Sequence, residues 1–135
     1  MDMGIEPFLL ASSIQGIMAQ RLVRTVCGQC RRPVKVIPAI AAKFKEYGIP
    51  LDSLKLTRGE GCDLCANSGY KGRAGIHELF AMSDEMRRLI LERAPSSQLK
   101  KVALDQGLRT LYHDGLLKVA QGVTTIEEVL RVAVD

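Results

Sequence analysis

The four cysteines of this chain fall in two equally spaced pairs, Cys27-Gly28-Gln29-Cys30 and Cys62-Asp63-Leu64-Cys65, with 31 residues between them. A two-residue spacer lets one tight turn present both sulfurs of a pair, and two such turns complete the tetrahedral four-ligand shell that zinc prefers. Closing the intervening loop costs about 3 kcal/mol, whereas structural zinc supplies about 10–16 kcal/mol in small finger peptides, so the metal term dominates. The pattern predicts a structural zinc site with Cys27, Cys30, Cys62 and Cys65 as ligands, and a closed shell of four sulfurs leaves no position for water or substrate. Three other readings of the residues stay open at this level: a redox pair of the thioredoxin kind, an iron–sulfur cluster, and four ordinary thiols packed as small hydrophobes.

The rest of the chain says where such a site would sit. With 135 residues the chain is the size of one ordinary domain and long enough to own a core. Aromatic residues make up only 4% and Trp is absent, so that core rests on Leu, Ile, Val, Met and Ala, which suit helix-on-helix packing. The longest apolar stretch, residues 8–23, is broken by Ser12, Ser13, Gln15, Gln20 and Arg21, so no membrane span is expected. The N-terminus lacks a basic start, apolar segment and small-residue cleavage site, which points to a cytoplasmic, reducing setting where paired cysteines serve metals or redox chemistry.

Pro7, followed by Leu10, Ile14, Met18 and Leu22 at spacing four, predicts an amphipathic helix over residues 7–25. The pattern then breaks at the first cysteine pair, continues as a short extended segment at 34–37 halted by Pro38, and resumes as a helix over 39–47 ended by Gly48. A strand is expected over 75–82. Helices follow from Ser83 or Asp84, from the Ala94-Pro95-Ser96-Ser97 break to near Gly107, over 110–121 despite Gly115, and from the Thr124-Thr125-Ile126-Glu127 capping-box pattern. The expected fold is mainly α with short β segments: a tetracysteine zinc module joined to a small C-terminal helical bundle. The expected division is 1–26 as an N-terminal amphipathic helix, 27–82 as the zinc-binding module and 83–135 as the helical subdomain.

The formal net charge is +4, and its placement is uneven: no Asp or Glu lies between Glu6 and Glu46, while Arg21, Arg24, Arg31, Arg32, Lys35, Lys43 and Lys45 do. A solvated face offsetting the charge of a zinc–thiolate centre explains this cluster. The rival is a freestanding zinc-ribbon module binding RNA or DNA through the patch from Arg21 to Lys45. Single-strand binders offer stacking rings, however, and the patch and its edge hold only Phe44 and Tyr47, both suited to a core. No phosphate-binding loop of the G-x-x-x-x-G-K-[ST] type, no G-x-S-x-G and no H-E-x-x-H is present, and His77 and His113 stand apart. As an isolated chain it is not expected to be an enzyme.

Ordered motifs then point to a family. Gly4-Ile5-Glu6-Pro7-Phe8-Leu9, Ala19-Gln20-Arg21-Leu22-Val23-Arg24, the two cysteine pairs, Gly69-Tyr70-Lys71-Gly72-Arg73 and Gly75-Ile76-His77-Glu78-Leu79 closely resemble the bacterial secretion ATPases. The likeness runs on through Asp114-Gly115-Leu116-x-Lys118-Val119 and Gly122-x-Thr124-x-x-Glu127-Glu128-Val129-Leu130-Arg131-Val132, and so covers essentially the whole chain. These are the hexameric motors of type II secretion and type IV pilus assembly. The resemblance implies a longer parent in which an ATPase core, with its phosphate-binding loop, magnesium carboxylates and catalytic glutamate, lies upstream of a zinc element and a helical C-terminal subdomain. ATP and Mg2+ then belong to the parent, with 1–26 as the tail end of its core. The implied partners are that core, neighbouring subunits and the inner-membrane secretion or pilus platform proteins, with nucleic acid not expected, at a cytoplasmic location peripheral to the inner membrane. The resemblance also places Arg73 beside the adenine of bound nucleotide; offsetting the zinc–thiolate charge is the other role open to it. Gln20 and Arg21 stay divided between subunit contact and helix solubility.

Overall fold

The computed structural model describes residues 3–133. In chain order the elements are α1 (Pro7–Ser13), β1 (Gly16–Val26), β2 (Arg31–Pro33), α2 (Pro38–Glu46), a single 3-10 turn (Leu51–Ser53), β3 (Thr57–Gly59), β4 (Tyr70–Ala81), α3 (Asp84–Leu91), α4 (Ser96–Asp105), α5 (Leu111–Ala120) and α6 (Ile126–Val132). Helices outnumber strands among the described residues, in keeping with a mainly α chain. These residues gather into two compact units, a helical unit made of residues up to 19 and 78–109, and a cysteine unit made of 20–77 and 110 onward.

In the helical unit, Ser83 caps α3 by accepting a hydrogen bond from the Met86 N–H at 3.2 Å, and Asp84 and Glu85 favour the positive end of the helix. Arg87 Nε donates to the Ala11 carbonyl at 3.1 Å and so fastens α3 to α1. Pro95, which has no N–H to donate to a preceding helix, cannot continue α3 and stands as the N-cap of α4. Ala11, Met86, Leu89 and Ala103 are buried here, beside an apolar cleft of about 650 Å³ lined by Leu10, Ile14, Phe80, Met86 and Leu99 among others.

The expected helix over 7–25 is not what forms. Helix α1 ends at Ser13, whose neighbour Ser12 turns its Oγ back to the Phe8 carbonyl at 2.7 Å, and from Gly16 the chain is the strand β1. A spacing of four is also an even spacing, so Leu10, Ile14, Met18 and Leu22 satisfy strand alternation as well as a helix face. The β-branched residues Ile17, Val23, Thr25 and Val26 tip the balance toward the strand. The supposed core stripe is also the wrong one: Met18 and Leu22 are exposed, and Val23 is fully buried.

In the cysteine unit, β1 from residue 20 onward is paired with the first part of β4, and β2 pairs antiparallel with β3 in the register Arg31 to Gly59, Arg32 to Arg58 and Pro33 to Thr57. The extended segment 34–37 carries on from this ladder through one bond, from the Val34 N–H to the Leu56 carbonyl at 2.9 Å. Helices α2, α5 and α6 close over a core of Val23, Phe44, Ile49, Leu56, Ile76, Tyr112, Leu116, Val119 and Val129. Gly115, an apparent flaw in α5, is a contact: a Cβ there would lie 2.5 Å from Val129 Cγ1, so α6 packs where a side chain would stand. The cap of α6 is Thr125, which accepts from the Glu128 N–H at 3.3 Å, one residue later than the capping box beginning at Thr124 predicts. Thr124 and Glu128 are free of that box and bond elsewhere.

Candidate metal centre

Three of the four cysteines are buried and Cys62 is half-buried. The first pair occupies the turn between β1 and β2, the second the turn between β3 and β4. The two turns are brought together by the β2–β3 ladder and by the Cys27 N–H, which donates to the Gly69 carbonyl at 2.9 Å. Two glycines make this approach possible. A Cβ on Gly59 would lie 2.1 Å from the Gly69 carbonyl oxygen, so backbone meets backbone where any other residue would hold the turns apart. The second turn also holds Ala66 at φ 53° and Asn67 at φ 62°, the left-handed conformation needed to fold the chain back before β4.

The four Sγ atoms lie within 4.8 Å of one another. Cys27 to Cys62 and Cys30 to Cys65 are each 3.8 Å apart and Cys62 to Cys65 is 3.7 Å. A regular tetrahedron with metal–sulfur bonds of about 2.3 Å has edges of about 3.8 Å, whereas a disulfide needs about 2.05 Å. The sulfurs are therefore spaced as ligands of one ion and all four are free thiols. Backbone N–H groups point at them as well: Gly61 donates to Cys30 Sγ, and Cys62 and Gly69 to Cys65 Sγ, each at 3.3 Å. Such donors favour the thiolate over the thiol.

Burial pushes the Cys30 thiol up to about 11, against the Gly61 N–H. Burial also acts on Cys65, but there the Gly69 and Cys62 N–H groups and the neighbouring cysteines prevail and draw it down to about 6. Cys27 is lowered chiefly by the Cys30 N–H, with burial opposing. Four sulfurs this close cannot all ionise without a cation among them, and a divalent metal is the cation their softness and spacing suit.

The cysteine unit also buries polar residues that the sequence alone does not single out. Glu128, 2% exposed, accepts from the Arg24 N–H at 2.9 Å, from Arg24 Nε and Nη2 at 3.0 and 2.6 Å, and from Arg131 Nε and Nη2 at 3.1 and 3.0 Å. Burial works against its charge, yet the arginines Arg131 and Arg24 hold the carboxyl down to about 2. The Arg24 guanidinium also lies 4.3 Å over the Tyr70 ring. Asp114, likewise buried, accepts from the His77 N–H at 2.9 Å. An acidic pair in an otherwise amphipathic helix reads as surface; only Arg24, more than a hundred positions away, reveals why Glu128 goes inside.

Three of the seven basic residues of the cluster have partners in the fold. Arg24 is tied to Glu128, Arg31 Nη2 donates to the Gly122 carbonyl, and Arg32 faces Glu60 at 3.6 Å. Phe44 is fully buried and Tyr47 packs edge-on against Tyr112 with ring centroids 5.4 Å apart, so neither offers a stacking platform. Arg73 lies in β4 and is exposed. Neither histidine joins the cysteine cluster.

Two paired strands and a helical cover around four convergent sulfurs define a tetracysteine module, and its wider kinship follows from comparison. The family model of the "Type II/IV secretion system protein" matches residues 1–131, and the chain belongs to that family. It is 40% identical over 129 residues to the Type IV pilus assembly ATPase PilB of Thermus thermophilus, covering 96% of this chain and 14% of that protein. It is 45% identical over 132 residues to the Type II secretion system protein E of Pseudomonas aeruginosa, covering 97% and 26%. With the Type II secretion system ATPase E of Vibrio cholerae it shares 43% over 136 residues, covering 97% and 25%. The chain thus spans about a quarter or less of the length of these relatives.

Proposed function

We propose that this chain is the zinc-stabilised C-terminal region of a hexameric ATPase that powers type II secretion or type IV pilus assembly, and that it serves as a structural and partner-coupling module. The observation that carries this reading is the cluster of four sulfurs at tetrahedral spacing in a chain of this family. Cys27, Cys30, Cys62 and Cys65 would hold the ion. Zinc supplies no redox or hydrolytic chemistry in a closed sulfur shell; it cross-links two turns that are distant in sequence. The N-terminal residues up to 26 then continue from the parent's ATPase core, and ATP with Mg2+ binds upstream. Partners are that core, neighbouring subunits and inner-membrane platform proteins, met from the cytoplasmic side; no helix among the described residues is long and apolar enough to cross a membrane. The exposure of Arg73 on β4 leaves it accessible to a nucleotide base held by the core. Commitment of Arg24 and Arg31 to internal bonds, and of Phe44 to the core, supports this reading over the RNA- or DNA-binding one.

The test is elemental analysis of the purified chain together with titration by an unrelated oligonucleotide at two salt concentrations. One zinc per chain and no salt-dependent binding of an unrelated oligonucleotide are the expected results. Absence of stoichiometric metal with an unchanged melting curve after chelation would overturn the zinc reading, and micromolar oligonucleotide binding with a steep salt slope would replace the motor reading with the rival.

A further inference from the structure

The four chain segments that enter and leave the two cysteine turns have one thing in common: each is bonded to the stretch from the end of α5 into α6, residues 120–128. Ahead of Cys27, the Arg24 N–H donates to Glu128 Oε2 at 2.9 Å, the Arg24 carbonyl accepts from Thr124 Oγ1 at 2.7 Å and the Val26 N–H donates to the Val123 carbonyl at 2.9 Å. After Cys30, Arg31 donates to the Gly122 carbonyl. Ahead of Cys62, the Lys55 N–H donates to the Ala120 carbonyl at 2.8 Å and Thr57 Oγ1 to the Gly122 carbonyl at 3.0 Å. After Cys65, the Tyr70 hydroxyl and Thr125 Oγ1 share a hydrogen bond of 2.7 Å. Thr124 is fully buried and Glu128 is 2% exposed, so the anchor itself is fixed.

We infer that residues 120–128 form a clasp that sets the separation of the two cysteine pairs, and with it the affinity of the four sulfurs for metal, through the positioning residues Thr57 and Tyr70. The physical reason is preorganisation. A four-sulfur site assembled from two turns must draw those turns together, and the ordering cost falls on metal affinity unless the fold has met it already. The bonds lie on every segment that flanks the two turns, from Arg24 and Val26 before Cys27 to Tyr70 at the start of β4 after Cys65. Gly122 is the common point, since its carbonyl receives Arg31 from one side of the first turn and Thr57 from the approach to the second. The inference rests on the reading that these cysteines bind a metal, and deepens it by naming what outside the ligands tunes the site.

The experiment measures Co2+ and Zn2+ dissociation constants of the full chain by competition with a chelator, following the visible d–d bands of tetrahedral cobalt–thiolate, well below the melting temperature of every variant. Thr57→Val and Tyr70→Phe each remove one hydroxyl and leave the packing volume nearly unchanged. Each is expected to weaken metal binding about three- to tenfold, the effect of one lost hydrogen bond to the clasp; Thr57→Val also removes an acceptor 3.3 Å from Arg31 Nη2, and Thr57→Ser, which keeps the hydroxyl, is expected to restore wild-type affinity. Leu116→Ala, a core truncation that makes none of these bonds, should lower the melting temperature and leave affinity unchanged. Wild-type affinity in T57V and Y70F overturns the clasp, as does an equal loss in L116A, which would assign the effect to general stability. Failure of the wild-type chain to bind either ion with cobalt–thiolate bands overturns the metal reading itself, and the clasp with it.

Discussion

The two compact units hold themselves together by different means. Every buried polar or charged residue among those described, Thr110, Asp114, Thr124, Thr125 and Glu128, belongs to the cysteine unit. The helical unit buries Pro7, Ala11, Met86, Leu89 and Ala103, none of them polar, while Phe8, Leu9, Ile17, Met18 and Leu79 stay exposed. In the first, the larger apolar core is supplemented by directional bonds and four sulfurs that demand defined distances. In the second, apolar helix faces meet with fewer constraints. A region fixed by geometry has little tolerance for small displacements, whereas one fixed by apolar contact can adjust.

The largest break in this contrast should come from Cys62→Ser. Structural zinc contributes on the order of 10–16 kcal/mol in finger peptides, as much as the whole stability of an ordinary domain, about 5–15 kcal/mol. Hydrogen exchange should therefore show protection lost across residues 20–77 while amides in α3 and α4 keep theirs. Uniform protection at the wild-type level would mean that the metal is dispensable.

A second test turns on charge. Glu128→Gln leaves Arg24 and Arg131 without their buried acid and should cost about 3 kcal/mol in a denaturant titration. The pH dependence follows from the lowered carboxyl. Its pKa is about 2 in the fold against 4.5 when unperturbed, so the folded state binds the proton less readily than the unfolded one. The contribution is present above about pH 4.5 and is lost as pH falls toward 2. The wild-type chain should lose stability through that window more steeply than E128Q, and parallel curves would contradict the role assigned to this acid.

A third test compares two glycines, one costly to replace and one cheap. Gly59→Ala places a Cβ against the Gly69 backbone, which cannot rotate away, and should cost about 3 kcal/mol and shift the metal-binding curve. Gly107 in the helical unit has φ 93° and nothing within 4 Å of where a Cβ would stand, so Gly107→Ala should cost only the backbone conformation, about 1–2 kcal/mol, with metal binding unchanged. Equal melting temperatures for the two variants would erase the distinction between the units.

The sequence was most informative where physical signals are local. The four cysteines, the Ser83 cap, Pro95 at a helix start and Gly48 at a helix end all stand where spacing and capping chemistry place them. The failures share a different cause. Residues 16–26 were read by a spacing that helix and strand both satisfy, and the choice was settled by pairing with a strand some fifty residues away. The capping box at Thr124 slipped by one because Thr124 and Glu128 are engaged by Arg24 across the fold. Gly115 looked like a weakness because its partner, Val129, is in the next helix. Burial of Glu128 was hidden for the same reason: its counter-ion is distant in sequence.

One consequence of the bonds to Arg24 concerns the outer side of the ribbon. The N–H and C=O of a single strand residue point the same way, and those of the residue two further on return to that side. Glu128 and Thr124 take both groups of Arg24, and Val123 takes the Val26 N–H. At this end of β1, side chains and a loop thus stand in for a neighbouring strand. A two-stranded ribbon would ordinarily offer a row of unpaired amides to any extended chain that drifts by, inviting sheet growth and aggregation. Here that row is closed beside the cysteines, so the module can be kept at high local concentration without its ribbons zipping together at this edge.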